Sequence, residues 1–213
     1  MTISLLTPRR SSVMGKPVGK SAGKSAIGGF RALALAALAV LAGATAAQAG
    51  ESPAAYMKRV GNELMAASRS GSSSQFAMVL NSNADIPSIG LSALGGYARS
   101  LPRTDRPIYY NGMINFIARY AAKEAPKYPV ARFTVTAQSK EEARGTYVDT
   151  RITLASGDAY DVRWLVVRRG NTHKVRDAQV IGFWMTSFLD NLFQNYISEN
   201  GGNPKALVVA LNR

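Results

Sequence analysis

Two alternating polar–apolar runs joined by a tight turn set the strongest constraint on how this 213-residue chain can fold. Tyr147 to Leu154 alternates, Ser156-Gly157-Asp158 supplies a turn, and Tyr160 to Val167 alternates again. A period of two is that of a half-buried strand and does not suit a helix. Gly170-Asn171 predicts a second turn, and His173 to Ile181 a third strand. Val148, Ile152 and Leu154 share one side of the first run, and Val162, Trp164 and Val166 one side of the second. The third run is ambiguous. Ala178 and Val180 fall on one side with Lys174 and Arg176, while Val175 and Ile181 fall on the other. Phe183 to Ile197 then carries a bulky apolar stripe at helical spacing. A one-sided sheet closed by such a helix is either a packed core or a container.

Upstream, helical signals prevail. Ser52-Pro53 is a cap followed by a proline at the first helical position, and Gly71 stops the run. Ser72 to Ser74 opens a second helix and Asp85-Ile86-Pro87 a third. Asp105-Arg106-Pro107 starts a longer helix, with Tyr109, Met113, Phe116, Ile117 and Tyr120 on one face, that ends before Pro126. Val130 to Ala137 alternates as a first strand, and Ser139 to Arg144 reads as a charged loop. The expected class is α+β: N-terminal helices packed on one face of a four-stranded antiparallel meander, closed by C-terminal helices.

The first 49 residues read as an address rather than as structure. Arg9, Arg10, Lys16, Lys20, Lys24 and Arg31 precede an unbroken small-apolar run from Ala32 to Ala44, and Ala47-Gln48-Ala49 fits a cleavage site. The run is shorter than the ~20 residues a spanning helix needs. The expectation is a signal peptide over 1–49, export to the bacterial periplasm by the Sec route, and a single mature domain over 50–213. Translation could start at Met1 or Met14. Six of the 26 Lys and Arg lie in the leader and none of the 13 acids does, so the mature chain carries +7. For an exported protein, that charge favours anionic lipid or anionic protein partners. No basic stripe with interleaved aromatics supports nucleic-acid binding.

Reactive chemistry is sparse. There is no Cys, and His173 is the single histidine, so the usual metal and thiolate sites cannot be built. No Gly-x-Ser-x-Gly accompanies His173. Asp177 is the best acid candidate, with a structural hydrogen-bonding role as the competing reading. If the sheet and helices enclose a chamber, the lining candidates are Phe116, Ile117 and Tyr120 from the long helix. Val148, Ile152, Trp164 and Val166 would come from the strands, and Trp184, Met185, Phe188 and Leu192 from the closing helix. The same residues at the same spacing also describe a solid core. A small isomerase- or hydrolase-type enzyme and a structural interaction protein are the alternatives.

Some stretches are diagnostic beyond their periodicity. His173-Lys174-Val175-Arg176-Asp177-Ala178 leads through Val180-Ile181-Gly182 into Trp184 to Asn195, then Gly201-Gly202-Asn203 and Ala206-Leu207-Val208. Ala84-Asp85-Ile86 through Leu94-Gly95, then Tyr109 to Tyr120, precede them. This pattern resembles the MlaC family, periplasmic phospholipid-binding proteins also called toluene-tolerance auxiliary proteins. The resemblance implies an NTF2-like cone with a helical lid and a phospholipid-carrying, non-enzymatic role in outer-membrane maintenance. It implies the eleven lining residues above as lipid-binding, and no cofactor other than lipid cargo. The partners it implies are an inner-membrane ABC transporter complex with a substrate-binding membrane subunit, and an outer-membrane lipoprotein/porin complex. The chain departs from the family pattern at His173, where a Trp is usual, at Ile181, where an acid is common, and at Phe183-Trp184. A hopanoid-associated branch of the family makes a polycyclic lipid a second candidate cargo.

Overall fold

Ser52 and Pro53 begin the first helix. In the computed structural model, which describes residues 50–136 and 139–213, α1 spans Pro53–Ser70. The expected signal peptide and its cleavage site, and Ala137 at the expected end of the first strand, lie outside the described residues. The Ser52 hydroxyl accepts from the Ala55 amide at 3.2 Å. Gly71 closes the helix at φ +64°, its N–H on the Ala67 and Ser68 carbonyls. Next come α2 (Ser73–Asn83), α3 (Ile86–Leu94), a 3-10 turn over Gly95–Arg99, and α4 (Arg106–Glu124). Helical hydrogen bonding of the α type ends just before Pro126, and Ala125–Lys127 continues as one 3-10 turn.

The strands are β1 (Val130–Val135), β2 (Lys140–Glu142), β3 (Gly145–Leu154), β4 (Ala159–Arg169), β5 (Thr172–Val180) and β6 (Phe183–Trp184). They form one six-stranded antiparallel sheet in the order β1-β3-β4-β5-β6, with β2 also on β3. The expected four-strand meander is its long part, and two short strands extend it. Lys140 to Glu142, read above as loop, pairs with Gly145 to Tyr147 and continues the edge that β1 begins. A short charged edge strand buries neither face, so it leaves no periodic signal. The outer sheet face carries cross-strand ion pairs, Asp149 with Arg163 at 2.7 Å and Arg151 with Asp161 at 2.9 Å. Both are solvated and worth roughly 0–1 kcal/mol each.

The ambiguous register of the third long strand has a physical origin. Leu165 pairs with Asp177, but the next residue, Val166, pairs with Val175, so Arg176 is an extra residue in β5. A bulge of this kind flips the alternation midway. Val175 and Ala178 therefore lie opposite Val166 and Trp164 on the same sheet face, which strict alternation forbids. The turn into β6 is equally specific. Ile181 and Gly182 both have positive φ, +50° and +83°, the two-residue hairpin geometry. Gly182 suits it, whereas a β-branched residue there stores strain.

The closing helix α5 spans Met185–Glu199 and α6 spans Pro204–Leu211. They complete a helical core with α3 and α4, in which Tyr109, Met113, Leu94, Phe193 and Ile197 are wholly buried. A second cluster lies under α1, where Tyr56, Met57 and Val60 cover Val148 and Val166. Gly61 permits the close approach of α1 to β1: a Cβ there would sit 2.3 Å from the Phe133 ring. Val148 is fully enclosed in this second cluster. Val148→Trp is therefore expected to overpack it and cost about 1–3 kcal/mol. Thermal unfolding checks this, and an unchanged midpoint would contradict the packing described.

Candidate functional site: an apolar cavity

A cavity of about 480 Å³ lies where four layers fail to close on one another. α4 contributes Phe116, Ile117 and Tyr120, and the end of α2 and start of α3 contribute Leu80, Ala84 and Ile89. The sheet contributes Trp164 and Val175 to Ala178, and α5 contributes Met185, Phe188, Leu189 and Leu192. Its size falls in the ~300–1,000 Å³ range of ligand sites, and its wall is almost wholly hydrocarbon. Tyr120, Met185, Phe188 and Leu192 are 40–55% exposed, so large apolar side chains stand open to water around it. A solid core leaves no such residues in contact with solvent.

Arg176, Asp177 and Thr186 bring charge and hydroxyl to the cavity lining, and Arg176 links it to a neighbouring polar cluster. Asp85, buried at the N-terminal end of α3, takes two guanidinium groups on one carboxylate oxygen, Arg169 at 2.7 Å and Arg176 at 3.0 Å. Both guanidiniums also reach the Ser88 hydroxyl at 2.9 Å. Burial works to raise the Asp85 carboxyl, but hydrogen bonds from Arg169, Ser88 and Arg176 outweigh it and hold it below the usual carboxylate value. Two positive charges share the one negative charge of Asp85, and Asp177 sets a second carboxylate beside Arg176 in the cavity lining. The Asp85 amide donates to the Val175 carbonyl at 2.8 Å, tying this cluster to β5.

Asp177 sits at the base of α5 with both oxygens engaged. It accepts from the Ala178 amide at 2.8 Å, the Thr186 amide at 3.1 Å and the Thr186 hydroxyl at 2.5 Å. Trp184, at the N-cap position of α5, makes no side-chain cap, so Asp177 caps the helix from across the hairpin. This is the structural role weighed above. His173 is remote from the cavity: it packs against Tyr56 and its Nε2 lies 2.7 Å from the Glu51 carbonyl oxygen. A second acid, Asp190 on α5, has a buried Oδ1 without a partner. Burial, then the Asp177 charge, pushes its carboxyl above the ordinary range. A raised carboxyl favours the folded state most when protonated, at low pH, and that advantage is lost as pH rises through the raised value. Asp190→Asn should therefore stabilise the fold at neutral pH, with a gain that vanishes below the ordinary carboxylate range. Unfolding midpoints across pH check this; a gain independent of pH would contradict it.

Seven of the eleven lining candidates meet at this cavity: Phe116, Ile117, Tyr120, Trp164, Met185, Phe188 and Leu192. Four are elsewhere. Val148 and Val166 lie on the same sheet face as Trp164, but α1 covers them. Ile152 borders a separate, smaller hollow. Trp184 belongs to β6, not to α5. Its pairing with Gln179 turns it to the other side of the sheet, against Tyr147 and beneath the Arg144 guanidinium. Leu80, Ala84, Ile89, Val175, Ala178 and Leu189 were not anticipated as lining. Their apolar spacing was visible, but the bulge and the helix crossings that aim them were not.

Fold and site together define an α+β protein with an apolar cavity between its sheet and helices. The model of the MlaC protein family matches residues 57–213, and the chain belongs to the MlaC family. No curated protein matches the sequence. Among solved structures, the fold is similar to that of a phospholipid-binding protein from Ralstonia solanacearum in complex with a phospholipid. The TM-score is 0.56 and the identity 21%, over 75% of this chain and 94% of that one. Among the described residues, no helix is long and apolar enough to cross a membrane.

Proposed function

We propose that this chain is a lipid carrier of the periplasm, exported by the Sec route with 1–49 removed. The acyl chains of a phospholipid, or a polycyclic lipid, lie in the cavity, and the anionic head group rests near Arg176 and Arg169 in water. On this reading the fold is an NTF2-like cone with α5 and α6 as lid. The protein passes its cargo between an inner-membrane ABC transporter complex and an outer-membrane lipoprotein/porin complex. The carrying observation is the hydrocarbon wall of the cavity with its exposed apolar mouth. Each methylene moved from water into it contributes about 0.8 kcal/mol, so part of one chain suffices for retention. Family membership and the phospholipid-bound neighbour support the same reading. An enzyme is disfavoured because Asp177 is engaged in capping α5 and His173 is remote from the cavity.

Organic extraction and mass spectrometry of mature protein purified without detergent tests this. Phospholipid or a polycyclic lipid near one per chain is expected, and its absence after exposure to phospholipid vesicles would overturn the proposal. Trp164 also gives a local readout. There are two Trp in the chain, so Trp184→Phe leaves it as the sole indole. Phosphatidylglycerol with brominated acyl chains should quench it.

A further inference from the structure

Trp164 borders two hollows. One is the cavity described above. The other, about 210 Å³, is lined by Gly61, Leu64, Phe76, Ala121, Phe133 and Ile152, among others, between α1, α4 and the sheet. Its lining is apolar as well, and α4 serves both hollows: Phe116, Ile117 and Tyr120 line the first and Ala121 the second, joined by Ala125 from the 3-10 turn that follows. The small side chains at 121 and 125 leave space that a larger residue would close.

A half-buried indole stands between the two spaces, and a hydrogen bond sets its orientation. Its N–H donates to the Thr150 hydroxyl at 2.8 Å, and that hydroxyl donates to the Val162 carbonyl at 3.2 Å. Thr150 is fully buried, so the acceptor cannot be exchanged for water without opening the sheet. On one side of the indole ring is the Phe133 ring, tilted, with centroids 6.4 Å apart. With free volume adjoining it on two sides, the ring has room to shift that a close-packed core residue lacks.

We propose that the smaller hollow is a second acyl compartment and that Trp164 is the partition controlling entry to it. A single-chain lipid is held by the larger cavity alone. A two-chain phospholipid places its second chain past Trp164, between α1 and α4. This rests on the lipid-carrier reading and adds to it a determinant of how many chains are bound.

The test uses lipid-stripped mature protein offered 1-oleoyl-lysophosphatidylglycerol or dioleoylphosphatidylglycerol, with binding read by native mass spectrometry. Ala121→Phe fills the smaller hollow, and Trp164 is the one residue that this hollow shares with the larger cavity's lining. It is expected to weaken two-chain binding by about tenfold or more relative to single-chain binding, since a few excluded methylenes suffice for that factor. Single-chain binding should stay within about twofold. Ala125→Leu, a smaller intrusion from the 3-10 turn after α4, should act in the same direction, and it serves where the first variant unfolds. An unchanged ratio in folded variants, or equal loss of both lipids, overturns the second compartment and leaves the carrier standing. Wild-type protein that binds neither lipid overturns the carrier reading itself.

Discussion

Ala178→Phe is expected to empty the protein of lipid while leaving it folded. Ala178 lies directly across from Trp164 in the sheet, and its side chain faces the larger cavity. An aromatic ring suits a strand position, and here it enters free volume. Overpacking a close-packed site costs about 1–3 kcal/mol, and a ring placed in a cavity avoids most of that. Thermal stability should thus change little, while lipid recovered per chain falls at least about tenfold, the loss that follows from excluding a few methylenes. Ile117→Trp, intruding from α4, should do the same from the opposite wall. The contrast with Val148→Trp is the informative part. Both positions belong to one sheet face, yet one substitution should cost cargo and the other stability. Full lipid loading in Ala178→Phe and Ile117→Trp would mean that lipid is held elsewhere.

Asp177→Ala is expected to produce the largest loss of stability among the polar residues of the site. The side chain is 5% exposed and accepts three hydrogen bonds, two of them from Thr186 in the first turn of α5. Truncation removes a charge from the positive end of the helix dipole and leaves part-buried donors on Thr186 without partners. Helix caps are worth up to about 2 kcal/mol, and a part-buried donor left without a partner adds about 1 kcal/mol, so a total of roughly 2–3 kcal/mol is expected. For a chain of this size each kcal/mol lowers the melting temperature by about 2–4 °C. Because α5 carries Met185, Phe188, Leu189 and Leu192, the same change should speed lipid loss from whatever protein remains folded. Asp177→Asn, which retains an acceptor for Thr186, should show an intermediate effect. Wild-type stability in Asp177→Ala would show that α5 is capped by other means.

Much of this was legible in the chain. The Ser52-Pro53 start and Gly71 stop of α1, the halt of α4 before Pro126, and the paired alternation of β3 and β4 follow from local stereochemistry, which acts within a few residues. Belonging to the MlaC family was also visible, in the run from His173 to Gly202. Val148, Val166 and Ile152 are misplaced for one shared reason. Periodicity reports which face of an element is apolar and is silent on what covers it. Val148, Trp164 and Val166 obey the same alternation, yet α1 buries the first and last and leaves Trp164 between two hollows. Trp184 was assigned to a helix that begins one residue later, because an apolar pair at a strand–helix junction fits either period.

The sequence by itself therefore determined the class of fold, the order of its long elements, the apolar sheet face and the family, since each depends on neighbours along the chain. Tertiary structure alone decided that the apolar faces do not fully meet. The Arg176 bulge that turns Val175 and Ala178 to one side, the shared grip of Arg169 and Arg176 on Asp85, and the capping of α5 by Asp177 all join residues distant in sequence or shift their register. A cavity is space that side chains from several elements leave unfilled, and no single segment encodes it.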